Sequence, residues 1–163
     1  MSINPELFRK VLSWFTTGVT IVTTRDGDEI HGLTVNSFCS VSLAPPLVLV
    51  CVDKDAHSHD LIQKSGNFAV NILTAALESL ARRFATNNLS AAERFAGIKH
   101  HIEITGAPIL AESLGWLDCK LFAAYAGGDH TIFVGEVMAL GERPGDEPLL
   151  FYQSQYGKPV LTS

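Results

Sequence analysis

The β-branched run Val19-Thr20-Ile21-Val22-Thr23-Thr24 leads into Asp26-Gly27-Asp28, and a second extended stretch runs from about Ile30 to Ser37. Branched side chains suit a pleated, half-buried surface, and Asp-Gly between two such runs signals a hairpin. The predicted unit is therefore a pair of antiparallel strands. Upstream, Asn4 is an N-cap candidate and Pro5 stands where a missing N–H costs nothing. Leu7, Val11, Leu12 and Phe15 recur at helical spacing, which predicts an amphipathic helix from Pro5 to about Thr16, ended by Gly18.

Downstream, Pro45-Pro46 precedes Leu47-Val48-Leu49-Val50-Cys51-Val52, a continuous apolar run expected as a strand buried on both faces. Ser58 is a candidate N-cap for a short helix anchored by Leu61 and Ile62, and Phe68 to Leu73 is a further strand. Thr74 is expected to cap a helix carrying Leu77, Leu80, Ala81 and Phe84, and Ser90-Ala91-Ala92-Glu93 fits a capping box. Gly115 to Tyr125 and Thr131 to Leu140 read as long strands joined across Gly127-Gly128-Asp129, and Leu149 to Tyr152 adds a last one. Strands joined by hairpin-length turns, with helices as separate insertions, predict a mainly β protein with peripheral helices: an antiparallel barrel, not a doubly wound sheet. No repeat or linker divides the 163 residues, so one domain (1–163) is expected.

Composition narrows the function. A net charge of −5 with no block of Lys and Arg argues against a nucleic-acid surface. No apolar run approaches a membrane span, and Met1 to Pro5 has no basic segment before an apolar core, so neither membrane insertion nor a signal peptide is expected. Cys39, Cys51 and Cys119 are odd in number and form no Cys-x-x-Cys, which suits reduced thiols in a cytoplasmic protein. The 47% apolar content is high for 18% charged residues and hints at a homo-oligomer.

Common nucleotide and hydrolase signatures are absent: no Gly-x-Gly-x-x-Gly, no P-loop, no Gly-x-Ser-x-Gly, no His-Glu-x-x-His. Instead, Thr34 to Ser42 packs small hydroxyl and amide groups that can bond a heterocycle, or else simply form a polar strand end and a Pro-limited loop. Asp53 to Asp60 contains His57-x-His59, but no further ligands at metal spacing, so no metal is expected. Ser58 at a helix start offers free N–H groups to a phosphate, although an ordinary surface helix accounts for the same residues. Arg82-Arg83 at a helix end is favourable against the helix dipole and is also placed to reach a phosphate. His130, after Gly127-Gly128-Asp129, is suited to donate to a carboxamide or phosphate.

Five segments, in order, resemble the short-chain flavin reductases that partner two-component flavin monooxygenases: Phe15 to Thr23, Gly32 to Phe38, Ser40 to Ser42 with Pro45-Pro46, Phe68 to Leu73, and Gly127 to Val137. The resemblance covers about Phe8 to Tyr156. It implies a split antiparallel β-barrel of Greek-key type that binds FMN or FAD, a homodimer, and hydride transfer from NADH or NADPH to the flavin, with reduced flavin passed to a partner monooxygenase. By position, it implies that Thr34, Val35, Asn36, Ser37, Ser40, Val41 and Ser42 line the flavin ring and ribityl chain, with Cys51 and Asp53 close by. Ala56, His57 and Ser58 would meet the phosphate, Arg82 and Phe84 would enclose the phosphate or adenylate end, and His130 would serve the nicotinamide, with Tyr156 nearby. Related barrels that bind flavin or haem without catalysis, that reduce metal or corrinoid acceptors, or that oxidise a phosphorylated vitamin are the alternatives.

Overall fold

The hairpin around Gly27 forms with Asp26 opposite Glu29 across a two-residue turn, and Gly27 supplies the positive φ, 58°, that the turn requires. The computed structural model describes residues 3–160. Along the chain come helix α1 (Pro5–Leu12) and strands β1 (Thr17–Gly18), β2 (Thr20–Asp26), β3 (Glu29–Val35), β4 (Cys39–Leu43) and β5 (Pro46–Asp53). Helix α2 (His57–Ser65), strand β6 (Asn67–Ile72), a 3-10 turn (Ala75–Leu77) and helices α3 (Glu78–Ala85) and α4 (Ala91–Phe95) follow. Strands β7 (His100–Ile102), β8 (Pro108–Leu110), β9 (Gly115–Gly127), β10 (His130–Glu142), β11 (Leu150–Tyr152) and β12 (Gln155–Gly157) complete the described chain.

The main sheet is antiparallel throughout, in the order β3-β2-β6-β9-β10-β5-β4. It curls into a split barrel, mainly β with peripheral helices. No backbone ladder closes the seam between its edge strands among the described residues. Ser37, in the link from β3 to β4, spans it instead: its hydroxyl accepts the Cys51 N–H at 2.9 Å and donates to the Cys51 carbonyl at 3.0 Å. Inside, Val22, Val35, Val50, Ile62, Phe68 and Phe133 form one cluster. Outside, Ile21, Leu80, Ala81, Phe84 and Phe95 fasten α3 and α4 to the sheet. Gly135 is required by this packing, because a Cβ there would lie 2.4 Å from the Phe68 ring.

Several local expectations hold. Asn4 caps α1, accepting the Glu6 and Leu7 amides at 2.8 and 3.1 Å, and the Ser90–Glu93 capping box opens α4. β9 and β10 meet across Gly128-Asp129, with Gly128 at a φ of 72°. Others are corrected. α1 stops at Leu12, short of Thr16, because Thr17 and Gly18 are taken up as β1 against β11. β5 is covered on one face only: Val48, Val50 and Val52 are buried, whereas Leu47, Leu49 and Cys51 are half-buried. The residues after Phe38 are not a loop but the edge strand β4, paired with β5 from Cys39 opposite Leu49 to Leu43 opposite Pro46. Thr74 makes no side-chain cap, and its segment starts as a 3-10 turn before α3. Ser58 is not an N-cap either. Ala56 holds that position, and Ser58 lies inside α2.

Candidate functional site

Three pieces of backbone converge on a groove of about 780 Å³: one face of β3, the start of α2, and the turn that joins α3 to α4. That volume falls within the usual range for small-molecule sites, roughly 300–1,000 Å³. Ala56, with no hydrogen-bonding side chain, caps α2; the His59 amide turns back to the Ala56 carbonyl at 2.8 Å, and the His57 and Ser58 N–H groups at the helix start have no side-chain cap. These N–H groups and the helix dipole make an anion receptor.

A buried cation stands in the same groove. Arg94 is 5% exposed, and its bonds go to backbone carbonyls alone: Phe84 at 2.8 Å, Thr86 at 3.0 Å and Leu89 at 3.5 Å. Its Nε has no partner among the described residues. Burial lowers its pKa from the ordinary value, but a guanidinium stays charged at any working pH. A desolvated charge without a counter-ion is costly unless something pairs with it. Two of the three carboxylates in the groove wall are already engaged, and the third, Asp55, is exposed to solvent: Glu29 Oε1 meets His57 Nε2 at 2.7 Å, and Asp53 Oδ1 accepts the Asp55 amide at 2.9 Å. The arrangement thus suits an anionic group, and a phosphate in particular.

His31 completes the cluster. It is 8% exposed, its Nδ1 lies 2.5 Å from the Ser58 hydroxyl, and its ring meets that of His57 edge-on at 4.9 Å. Burial, and then the charge of Arg94, push its pKa down to about 4, so it is neutral near pH 7.

Of the residues singled out from sequence, Thr34, Asp53, Ala56, His57, Ser58 and Phe84 line this groove. Thr34 also donates its hydroxyl to the Ala81 carbonyl at 2.7 Å, tying β3 to α3. Asn36 and Ser37 lie on the other side of the same segment, in a second cleft of about 610 Å³ lined by Phe15, Thr17 and Cys39. Residues 33–39 therefore run between the two cavities. Val35 points its side chain into the core, and Ser40, Val41 and Ser42 lie on β4 outside both cavities. Cys51 is on the half-buried face of β5, opposite Ile132. His130 begins β10 directly across from Asp53, with Nδ1 2.8 Å from Asp129 Oδ1.

Arg82 and Tyr156 lie elsewhere. Arg82 pairs with Glu78 at 2.7 Å and its guanidinium sits over the Tyr156 ring at 4.8 Å, away from the groove. Burial raises the Tyr156 pKa. His57 and His59 do not converge on a metal: His59 turns to Thr131 at 2.8 Å and Asp60 at 2.9 Å. Arg94, His31 and the turn Thr86–Ala91 escaped the sequence reading. An Arg in a short polar helix looks solvated until the packing of α4 on α3 is known.

The Flavin reductase like domain family matches residues 12–159. The reductase subunit HsaB of a flavin-dependent monooxygenase from Rhodococcus jostii is 43% identical over 155 residues, which cover 95% of this chain and 78% of that protein. An NADH-dependent FAD reductase from Streptomyces globisporus is 44% identical over 145 residues, 88% of this chain and 79% of that protein. The solved structure of the Streptomyces globisporus NADH:FAD oxidoreductase SgcE6, in complex with NAD and FAD fragments, superimposes with a TM-score of 0.89 at 39% identity, covering 98% of this chain and 97% of that one.

Proposed function

This chain belongs to the flavin reductase like domain family, and we propose that it transfers a hydride from NADH to FMN or FAD and delivers the reduced flavin to a partner monooxygenase. The observation that carries the reading from this chain's own residues is the buried, counter-ion-free Arg94 beside the open start of α2. When bound, a flavin supplies the chemistry itself, accepting two electrons and a proton as hydride from the nicotinamide C4 at its N5.

The protein's share is to bind and orient. Arg94 and the α2 amides hold the phosphate, Phe84 walls the groove, and Thr34, Asn36 and Ser37, which line the two cavities along the barrel seam, guide the rest of the molecule. Cys51 and Asp53 border the same seam on β5. No side chain is needed as a general base for the hydride. Arg82 and Tyr156, held to each other and to Glu78, act on the fold outside the groove.

The reading is tested by following NADH loss at 340 nm with and without added FMN or FAD. Flavin-dependent oxidation supports it, whereas a flavin-binding protein that leaves NADH untouched is a non-catalytic module. His130 is assigned to the nicotinamide because it stands across from Asp53 at the groove's edge. His130→Ala should therefore lower kcat/KM for NADH about tenfold while flavin affinity holds within a factor of two. Equal losses for both reactants would remove that assignment.

We further read the chain as one domain, cytoplasmic, and working as a homodimer. α1 buries none of its residues, and Leu7, Phe8, Val11, Leu12, Trp14 and Phe15 are all more than half exposed. Apolar surface of that extent marks an interface. The three cysteines are unbridged, as suits a reducing compartment. No helix among the described residues is long and apolar enough to cross a membrane. Light scattering during gel filtration should give twice the 17.6 kDa chain mass, and Leu12→Glu with Phe15→Glu should shift it to one.

A further inference from the structure

The Ser58–His31 pair is unexplained by anything a flavin phosphate needs directly. Ser58 is 1% exposed, so its hydroxyl offers little to a ligand, yet it sits in the first turn of the helix whose N–H groups form the receptor. Among the described residues its hydrogen-bond partner is His31 Nδ1, from β3, at 2.5 Å. Burial keeps His31 neutral at working pH, and the tautomer with its proton on Nε2 leaves Nδ1 bare to accept the Ser58 hydroxyl. The charged groups around the ring come from every neighbouring element: Arg94 on α4, His57 on α2 and Glu29 on β3. His57 is itself clamped by Glu29, so β3 grips the start of α2 at two adjacent points.

We propose that His31 is a positioning residue: by accepting a hydrogen bond from the Ser58 hydroxyl, it fixes the first turn of α2 against β3 and sets this groove's preference for phosphorylated over unphosphorylated flavin. The inference rests on the reading of the groove as a flavin site. His31 does not touch the phosphate. It orients the amides that do, and a neutral ring beside Arg94 leaves the local positive charge to the guanidinium. An imidazolium ligating the phosphate directly would have no reason to spend Nδ1 on a buried serine.

The test is equilibrium binding of FMN and of riboflavin, followed by quenching of flavin fluorescence on the full chain, with thermal denaturation of each variant. The native protein should bind FMN at least tenfold more tightly than riboflavin. His31→Leu should weaken FMN about tenfold and leave riboflavin unchanged. Asn places its Oδ1 acceptor near the position of Nδ1, so His31→Asn should restore most of the FMN affinity. Ser58→Ala, which makes no demand on β3, should reproduce His31→Leu, and the double variant should be no worse than either single one. Equal weakening of both ligands, or no recovery with Asn in a folded protein, overturns the positioning role. Absence of binding by either flavin to the native protein overturns the flavin reading itself, which is a separate outcome.

Discussion

Arg94→Met should weaken FMN and FAD binding about a hundredfold while riboflavin affinity falls no more than a fewfold. The guanidinium is buried, stacks toward the Phe84 ring at 5.8 Å, and its Nε has no partner among the described residues. A hydrogen bond to a charged group is worth about 1.5–3 kcal/mol, and 1.4 kcal/mol is a factor of ten, so loss of one charge-assisted bond spans roughly 10- to 150-fold. The upper end is expected because Arg94 itself is only 5% exposed, and the phosphate loses that buried cation. Met is similar in length and fills the same channel, so packing of α4 is retained.

The same substitution tests structure. Arg94 fastens the Phe84, Thr86 and Leu89 carbonyls, which otherwise close the turn between α3 and α4. Removing it leaves these acceptors to find water, at a cost to stability of about 2–3 kcal/mol. Arg94→Lys separates the two roles. A lysine keeps the charge but cannot fork between carbonyls, so it should recover part of the flavin affinity without recovering the stability. Flavin fluorescence titration and thermal melting measure the two effects on the same samples. A folded Arg94→Met protein with native affinity for FMN would show that the phosphate lies elsewhere.

The contrast between Arg94 and the residues flagged from sequence shows which physics a sequence exposes. Turns and caps are local: Gly27 and Gly128 are required by positive φ, and Asn4 and the Ser90–Glu93 box satisfy amides within three residues. All were legible. The start of α2 was legible as a helix start, though its cap was placed two residues too late, at Ser58 in place of Ala56, because Ser58 is spent on a strand 27 residues away. β4 was hidden by its polar composition, since an edge strand needs few buried side chains. Arg94 and His31 owe their burial to contacts between elements. Phe95 meeting Phe84 at 5.2 Å brings α4 onto α3 and carries Arg94 inward. His31 shares the inward face of β3 with Val35, but only the position of α2 converts that into a hydrogen bond.

Asn71 makes the complementary case, a polar residue within a segment that carries the family resemblance but acts on the fold. It is fully buried on β6 and bridges three strands. Its Nδ2 donates to the Ile21 carbonyl at 3.0 Å and to Thr23 Oγ1 at 3.1 Å, and its Oδ1 accepts the Leu110 amide at 2.8 Å. Thr23 in turn donates to the Pro108 carbonyl, so one amide locks β2 and β6 to β8. Asn71→Ala should destabilise the protein by about 3–4 kcal/mol: an orphaned buried N–H costs roughly 1–3 kcal/mol, and the cavity adds to it. At 2–4 °C per kcal/mol for a chain of this size, the melting temperature should fall by roughly 10 °C. Asn71→Asp is nearly isosteric yet should be worse. Its carboxylate still accepts from Leu110, but it sets a buried negative charge against the Ile21 carbonyl, where Asn donates. In whatever fraction stays folded, flavin affinity should be native, because Asn71 does not line the groove. An Asp variant as stable as the native chain would mean that the amide is not oriented by these three strands, and that the β2–β6–β8 junction is held by packing alone.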